Sequence, residues 1–457
     1  MVKQKILKVS AIEKNNGFAL KVLGKNYDTV YPKGVWQSVP PILRQVLLEN
    51  IALAETHWLP LILQGYDGVS YNTPQPFFES LLFKNQLYDL LFSEGVDQAK
   101  PLAYLKRFYN LENTFSRQSA TNLDSLFFPR FKNNQPTAII PFTFGKESLL
   151  LVPLCLELGI KPVLVYIQEP SQPYEEKYKL KKLEEFRKKY QLEFHFVKHQ
   201  PGLFRYGKAF NAKFISELGW GTQVTLITLL AMPFVYRYGA QYIFFGNEFS
   251  NNEVKMENGW KVYSCYDQIQ AITGAQNNMV NYLTNGQCQL NGVLEPLEEI
   301  NIFYMLHHRY PDFGRYQFSC FADYPLYGGS QWCHRCYKCT RLFLFARALG
   351  INTRELGFKK DLLEDVKVWH HYFGGPHRTG SYDELDFCFY NLYLQGNQSA
   401  CVKLFAKKNL PHLRSDKGWY KKYFSALKPE SNMPPAYRGR LLKIFKAELT
   451  QFKKIFQ

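Results

Sequence analysis

Two short segments near the start of the chain, Leu7 to Ile12 and Phe18 to Leu23, alternate apolar and polar residues with the period of a half-buried strand. Asn15-Asn16-Gly17 lies between them and supplies residues that tolerate positive φ, so a β-hairpin is predicted. The period then lengthens. Ile42, Leu43, Val46, Leu47, Ile51 and Ala54 recur at three- and four-residue spacing, and a second such stretch runs from Phe77 to Leu91, so each predicts a helix. Residues 1–134 read as an N-terminal α+β domain with no recognisable chemistry of its own and a possible role in substrate choice.

From Pro136 apolar runs of strand length alternate with longer helical segments. Ala138–Phe142, Pro162–Ile167, Phe194–Val197 and Tyr242–Phe245 are the strands; Ser148–Leu158, Glu175–Tyr190 and Gly221–Tyr238 are the helices, the second with its alternating charges in solvent. This pattern predicts an α/β fold with a doubly wound parallel sheet covered on both faces, whose ligands sit at the carboxyl ends of the strands. The core is placed at residues 135–350, and a mostly helical, basic region follows at 351–457.

Composition narrows the class. Hydrophobic residues make up 46% of the 457, enough for a large core, and 16% aromatic against 21% charged excludes a disordered chain. The 56 Lys+Arg against 39 Asp+Glu give a net +17, which favours an anionic partner. Residues 401–457 alone hold 14 Lys+Arg against 3 Asp+Glu, so most of the surplus is C-terminal. Lys421, Lys422, Arg438, Arg440, Lys453 and Lys454 are candidates for meeting RNA, an acidic protein or a phosphorylated substrate, or for simple solvation. The N-terminus lacks a signal-peptide h-region, and the apolar stretch Val224–Tyr236 falls short of the roughly 18–20 residues that cross a bilayer. A cytoplasmic location and no membrane partner are expected.

The loop Thr143-Phe144-Gly145-Lys146-Glu147-Ser148 joins the first core strand to a helix. A helix N-terminus offers unpaired N–H groups and the positive end of the dipole, which suits a phosphate. Lys146 would add charge, Thr143 and Ser148 hydroxyl donors, and Gly145 a close turn. The spacing is not that of a Walker A loop. The alternative is an ordinary βα turn in which Ser148 caps the helix.

Cys320, Cys333, Cys336 and Cys339 form C-x12-C-x2-C-x2-C. Two consecutive C-x2-C steps curl into a knuckle whose thiolates converge, and a fourth thiolate completes a tetrahedral Zn2+ shell with no open position, hence a structural metal. Arg335, Lys338 and Arg341 would help keep the thiols ionised. An iron–sulfur cluster is the main rival. Cys155, Cys265, Cys288, Cys388 and Cys401 are scattered and read as packing residues.

Thr143-Phe-Gly-Lys-Glu-Ser148 resembles the S-G-G-x-D-S pyrophosphate loop of the ATP pyrophosphatase superfamily, with Phe144 in place of the first glycine. The resemblance implies a PP-loop, HUP-like core that cleaves ATP between its α and β phosphates and transfers AMP, and Phe144 leaves open a degenerate, non-hydrolysing nucleotide- or RNA-binding module. The zinc motif resembles that of 7-cyano-7-deazaguanine synthase, which implies a deazaguanine or modified-base carboxylate as one substrate. A longer set resembles the UDP-N-acetylmuramoyl-L-alanyl-L-glutamate epimerase family: Gly68–Tyr71, Gly221–Thr225, Gly246–Glu253, Tyr310–Phe313, Phe318–Cys320 and Trp332–Cys339. It implies ATP-dependent activation of a terminal glutamate carboxylate and inversion of its α-carbon, with peptidoglycan precursors as substrate. The family's cysteine-containing His-Lys-Pro-Phe-Glu-Cys stretch appears here, if at all, as His377–Glu384 without the cysteine, which favours adenylation over epimerisation; amidation or ligation also stays open.

Under this reading Lys146, Ser148 and Glu248 are the catalytic candidates, and Thr143, Phe144, Gly145, Lys146, Glu147, Ser148 and Asn247 surround ATP. Glu248, Asn251 and Asn252 follow the strand Tyr242–Phe245, where Glu248 would hold Mg2+; a plain asparagine-rich turn is the alternative. His370, His371 and His377 form a weaker candidate for a second metal or base site.

Overall fold

The predicted hairpin forms. β1 (Ile6–Lys14) and β2 (Gly17–Val22) pair antiparallel with Lys14 opposite Gly17. The computed structural model describes residues 5–63, 65–92, 101–116, 128–170, 173–210, 218–257, 259–320, 327–374 and 383–456. The further strands are β3 (Lys25–Val30), β4 (Gly68–Tyr71), β5 (Glu112–Thr114), β6 (Thr137–Pro141), β7 (Lys161–Gln168), β8 (Glu193–His199), β9 (Tyr242–Phe245), β10 (Val254–Glu257), β11 (Trp260–Tyr263) and β12 (Gln289–Gly292).

All but the β10–β11 ribbon join one ten-stranded, mostly parallel sheet in the order β12-β9-β6-β7-β8-β3-β2-β1-β4-β5. The five core strands β12, β9, β6, β7 and β8 are parallel neighbours. Helices Lys146–Leu158 and Pro173–Tyr190 bury Leu149, Leu151 and Phe186 in the core on one face. Helices Gln223–Tyr238 and Gln270–Thr284 bury Leu229, Phe234 and Met279 in the core on the other. The chain therefore winds outward from β6 in both directions, and the reversal falls between β6 and β9, the place where open α/β sheets leave a crevice at the strand ends.

The sheet continues across residue 134. β3 pairs antiparallel with β8 at Thr29↔His199 and Val30↔Lys198, and Leu7, Phe18 and Trp36 share a core with Ile139, Val163 and Leu229. At this short seam the buried His199 ring lies between Thr29 Oγ1 (2.9 Å) and Glu55 Oε1 (2.5 Å). Burial raises the Glu55 carboxyl, but His199 and Arg205 outweigh it and leave its pKa below the ordinary value. A depressed carboxyl contributes stability above its unfolded pKa and loses it as pH falls through the folded one. Glu55→Ala should lower stability by about 3 kcal/mol in urea unfolding at neutral pH, with a smaller difference from wild type in acid.

The basic C-terminal region is built into the core rather than hung from it. Phe387 of helix Asp383–Leu394 stacks on Phe424 and packs on Phe452 and Phe456. The segment Lys428–Asn432 is stitched across the end of β12: Lys428 N–H donates to Pro296 O (2.9 Å), Gly292 N–H to Asn432 O (3.2 Å) and Asn432 Nδ2 to Glu295 Oε1 (2.7 Å). Among the described residues no helix is long and apolar enough to cross a membrane.

Candidate functional site

After β6 the chain passes through Phe142-Thr143-Phe144-Gly145 into helix Lys146–Leu158. The turn is made at Phe144, whose φ is +60°, while Gly145 is extended at φ −60° and ψ 155°. A left-handed backbone costs a non-glycine residue about 1–2 kcal/mol. Phe144 offsets this by burying its ring edge-on against Phe142 (4.7 Å between centroids) and Phe186 (5.5 Å). The conformation a glycine would supply is therefore present, and the ring lies in the core beneath the loop. Phe144→Gly should cost a net 2–4 kcal/mol, roughly, because the lost aromatic packing exceeds the relief of backbone strain; urea unfolding measures it.

Gly145, the N-cap, offers no side-chain cap bond to the first-turn N–H groups of the helix. The adjoining hydroxyls are loosely held: Gly145 N–H donates to Thr143 Oγ1 (3.3 Å), and Ser148 Oγ donates to Gly145 O (3.3 Å). The neighbouring helix Gln223–Tyr238 differs, since Asp267 Oδ2 accepts from Val224 N–H (2.7 Å) at its start. An open cleft lies beside the loop and is lined by Thr143, Tyr166, Glu169, Lys179, Trp220 and Gln223 among others. Glu169 is held there by Arg205 (2.5 Å).

Lys146 does not face this opening. Its buried ammonium pairs with Glu147, with Glu299 (2.9 Å) and with Glu248 (3.5 Å). Arg341 binds Glu299 (2.5 Å) and Glu384, and Lys338 lies 4.0 Å from Glu299. Three cations thus meet four carboxylates. Burial disfavours the Lys146 ammonium, but the three glutamates hold its pKa well above the ordinary value. Burial likewise works against ionised Glu299, yet Arg341, Lys146 and Lys338 keep it well below the usual carboxylate range. Glu248 and Glu384 carry the imbalance: burial raises each to about 7, against Lys146 for the first and Arg341 for the second. A carboxyl raised in the fold contributes stability below its unfolded pKa and loses it as pH rises to the folded value. Stability should therefore decline from about pH 4.5 to about 7, and Glu248→Gln should flatten the decline; melting temperature against pH tests this.

The close approach of these elements depends on Gly246, where a Cβ would sit 2.5 Å from Glu147 Cβ and 3.2 Å from Glu147 backbone. Asn247, predicted beside ATP, is buried and donates to Thr273 Oγ1 (2.9 Å). Asn251 donates to Gln268 Oε1 (3.2 Å), and Asn252 Oδ1 accepts from Gln270 N–H (2.8 Å), so these amides serve the turn and its packing on helix Gln270–Thr284.

The four cysteines converge. Their sulfurs are buried and lie within 4.8 Å of one another, with 3.7 Å between Cys320 and Cys336, 3.7 Å between Cys333 and Cys339, and 3.5 Å between Cys336 and Cys339. Metal–sulfur bonds of about 2.3 Å in a tetrahedron put sulfurs about 3.8 Å apart, so the cluster could hold one structural metal such as zinc. Sulfurs this close leave no room for several irons and their sulfides. The N–H groups of Arg335 and Cys336 donate to Cys333 Sγ (3.4 and 3.3 Å), and His334 turns the knuckle at φ +62°. Lys338 and Arg341, expected to serve the thiols, are engaged by the glutamates Glu299 and Glu384. Cys155, Cys288, Cys388 and Cys401 are buried as expected, whereas Cys265 is exposed.

The knuckle also reaches the loop. Two residues before Cys320, Phe318 N–H donates to Phe144 O (2.8 Å), and the Phe318 ring stacks on Tyr178 (4.9 Å). Of the histidines, His371 is packed against Tyr337 and Trp369, burial lowering its pKa to about 4, His370 is exposed, and His377 lies outside the described residues. The stretch His377–Glu384 is described only at Asp383 and Glu384. Among the described residues the cysteines are the one group of three or more potential metal ligands in reach of one another.

Glu299, Glu384 and the cluster roles of Lys338 and Arg341 are absent from the sequence-derived site. One signal existed: Leu290–Leu306 reads as core yet contains Glu295, Glu298 and Glu299, all buried. No protein-family model matches the chain, and no curated protein aligns with it significantly.

Proposed function

We propose that the chain binds ATP at the loop after β6 and transfers AMP to the carboxylate of a small-molecule substrate. The observation that carries this reading is the uncapped N-terminus of helix Lys146–Leu158, flanked by the Thr143 and Ser148 hydroxyls, where the sheet's winding reverses. A carboxylate oxygen attacks the α-phosphorus, the bond to the α–β bridging oxygen breaks, and pyrophosphate leaves. Charge on the leaving group is met by the first-turn N–H groups and the two hydroxyls, held in place rather than recruited at the moment of reaction.

Lys146 acts through its carboxylates in this account, keeping Glu147, Glu248 and Glu299 in position. Mg2+, when bound with the nucleotide, neutralises phosphate charge, and Glu248 is the residue that would hold it. The resemblance in Gly246-Asn247-Glu248 and Trp332–Cys339 supports a terminal glutamate of a muramoyl-dipeptide-like precursor as the acid.

ATP labelled at the α-phosphate, incubated with such acids and Mg2+, should give free pyrophosphate and a labelled acyl-adenylate, from which attack of water on the acyl carbon releases labelled AMP. Labelled ADP, or no turnover together with no ATP binding, would contradict the proposal.

A further inference from the structure

The positive charge of the C-terminal region is unequally committed. Arg438 pairs with Glu430 (2.6 Å), Lys428 with Glu298 (3.2 Å), and Arg440 donates to the carbonyls of Leu158 and Glu157 (3.1 and 3.0 Å), opposing the negative end of helix Lys146–Leu158. Helix Arg438–Ile455 buries Leu441, Phe445, Leu449 and Phe452. Its one acid, Glu448, is buried with them and held by His308 and Arg309 (3.0 Å each).

The opposite face carries Lys443, Lys446, Lys453 and Lys454, all exposed. Lys454 donates to Gln451 Oε1 (3.1 Å), and among the described residues none of the four is in an ion pair. At 3.6 residues per turn they fall within about 100° of one another, over about 17 Å of helix. Of the residues between them in sequence only Thr450 shares this arc, while Ile444, Phe445, Glu448, Leu449 and Phe452 fall outside it.

We propose that this face binds the phosphate backbone of a nucleic-acid duplex. Charge complementarity selects a polyanion, and the missing chemistry selects which one. A membrane-surface helix turns its apolar side outward to the lipid, whereas here Phe445, Leu449 and Phe452 face the protein core. Single strands are gripped through bases stacked on exposed aromatic rings, and this face has none. A duplex presents phosphates at fixed spacing and needs neither.

The test is fluorescence anisotropy of the full chain with a two-turn DNA duplex, the same sequence single-stranded, and phosphatidylserine vesicles as a third arm. Neutralising four phosphates predicts that duplex affinity falls about 150-fold between about 50 and about 200 mM salt. The quadruple Lys→Ala variant at 443, 446, 453 and 454 should bind at least about tenfold more weakly with an unchanged melting temperature. Absent duplex binding at the lower salt, an unimpaired quadruple variant, tighter binding of the single strand, or binding to vesicles alone would each overturn the proposal.

Discussion

With one structural metal at the four cysteines and the nucleotide site proposed above, Cys333→Ser should yield a chain that retains less than one metal ion, loses cooperative unfolding in its knuckle-side half and fails to bind ATP. Zinc held by an all-protein shell contributes an apparent 10–16 kcal/mol or so in small peptides at neutral pH, as large as the roughly 5–15 kcal/mol that keeps a whole domain folded. The knuckle sits in the core that contains Phe142, Phe144, Phe303 and Phe343, so its collapse exposes shared packing. It also fixes the bond from Phe318 N–H to Phe144 O and the start of helix Tyr337–Ala348, which carries Lys338 and Arg341. Metal analysis, near-ultraviolet circular dichroism and limited proteolysis together test this. A metal-free variant with wild-type stability and nucleotide affinity would reduce the knuckle to ornament.

The second large effect is expected at Lys146. Lys146→Met removes a cation in contact with Glu147, Glu248 and Glu299 together, and breaking a buried pair by deleting one partner costs about 3–5 kcal/mol. The remaining carboxylates should then take up protons at higher pH, so the deficit should shrink in mild acid. Lys146→Met with Glu299→Leu should recover part of the loss, since an apolar pair of similar size needs no desolvation of charge. Recovery should be incomplete because Arg341 also relies on Glu299. Urea unfolding of the two single variants and the double gives the coupling, and a Lys146→Met cost below about 1 kcal/mol would mean the cluster is solvated.

How far the sequence could be read follows from the range of each interaction. The β1–β2 hairpin, helix Pro41–Thr56, the core strands and the cysteine cluster were legible because periodicity and ligand spacing are local. The short strands β4, β5 and β12 were not: Gly68–Tyr71, Glu112–Thr114 and Gln289–Gly292 are three or four residues long and lack a period that stands out. Nor did any local feature announce the β3–β8 seam, which rests on Glu55, His199 and Thr29 meeting from distant parts of the chain. At the site, sequence located the loop but assigned Lys146 to phosphate. In the structure its partners are the adjoining Glu147, Glu299 at the start of helix Glu299–His308 far along the chain, and Glu248 in the turn after β9. Phe144, a departure when read against a glycine-containing motif, becomes intelligible only through Phe142 and Phe186.

The central claim is that the open helix end after β6 receives a triphosphate. A crystal structure of the chain with α,β-methylene-ATP and Mg2+ tests it most directly. The account predicts phosphate density within hydrogen-bonding distance of the first-turn N–H groups and of the Thr143 and Ser148 hydroxyls, with Lys146 still among its carboxylates. Density for the nucleotide elsewhere, or an unoccupied loop at saturating nucleotide, would contradict it.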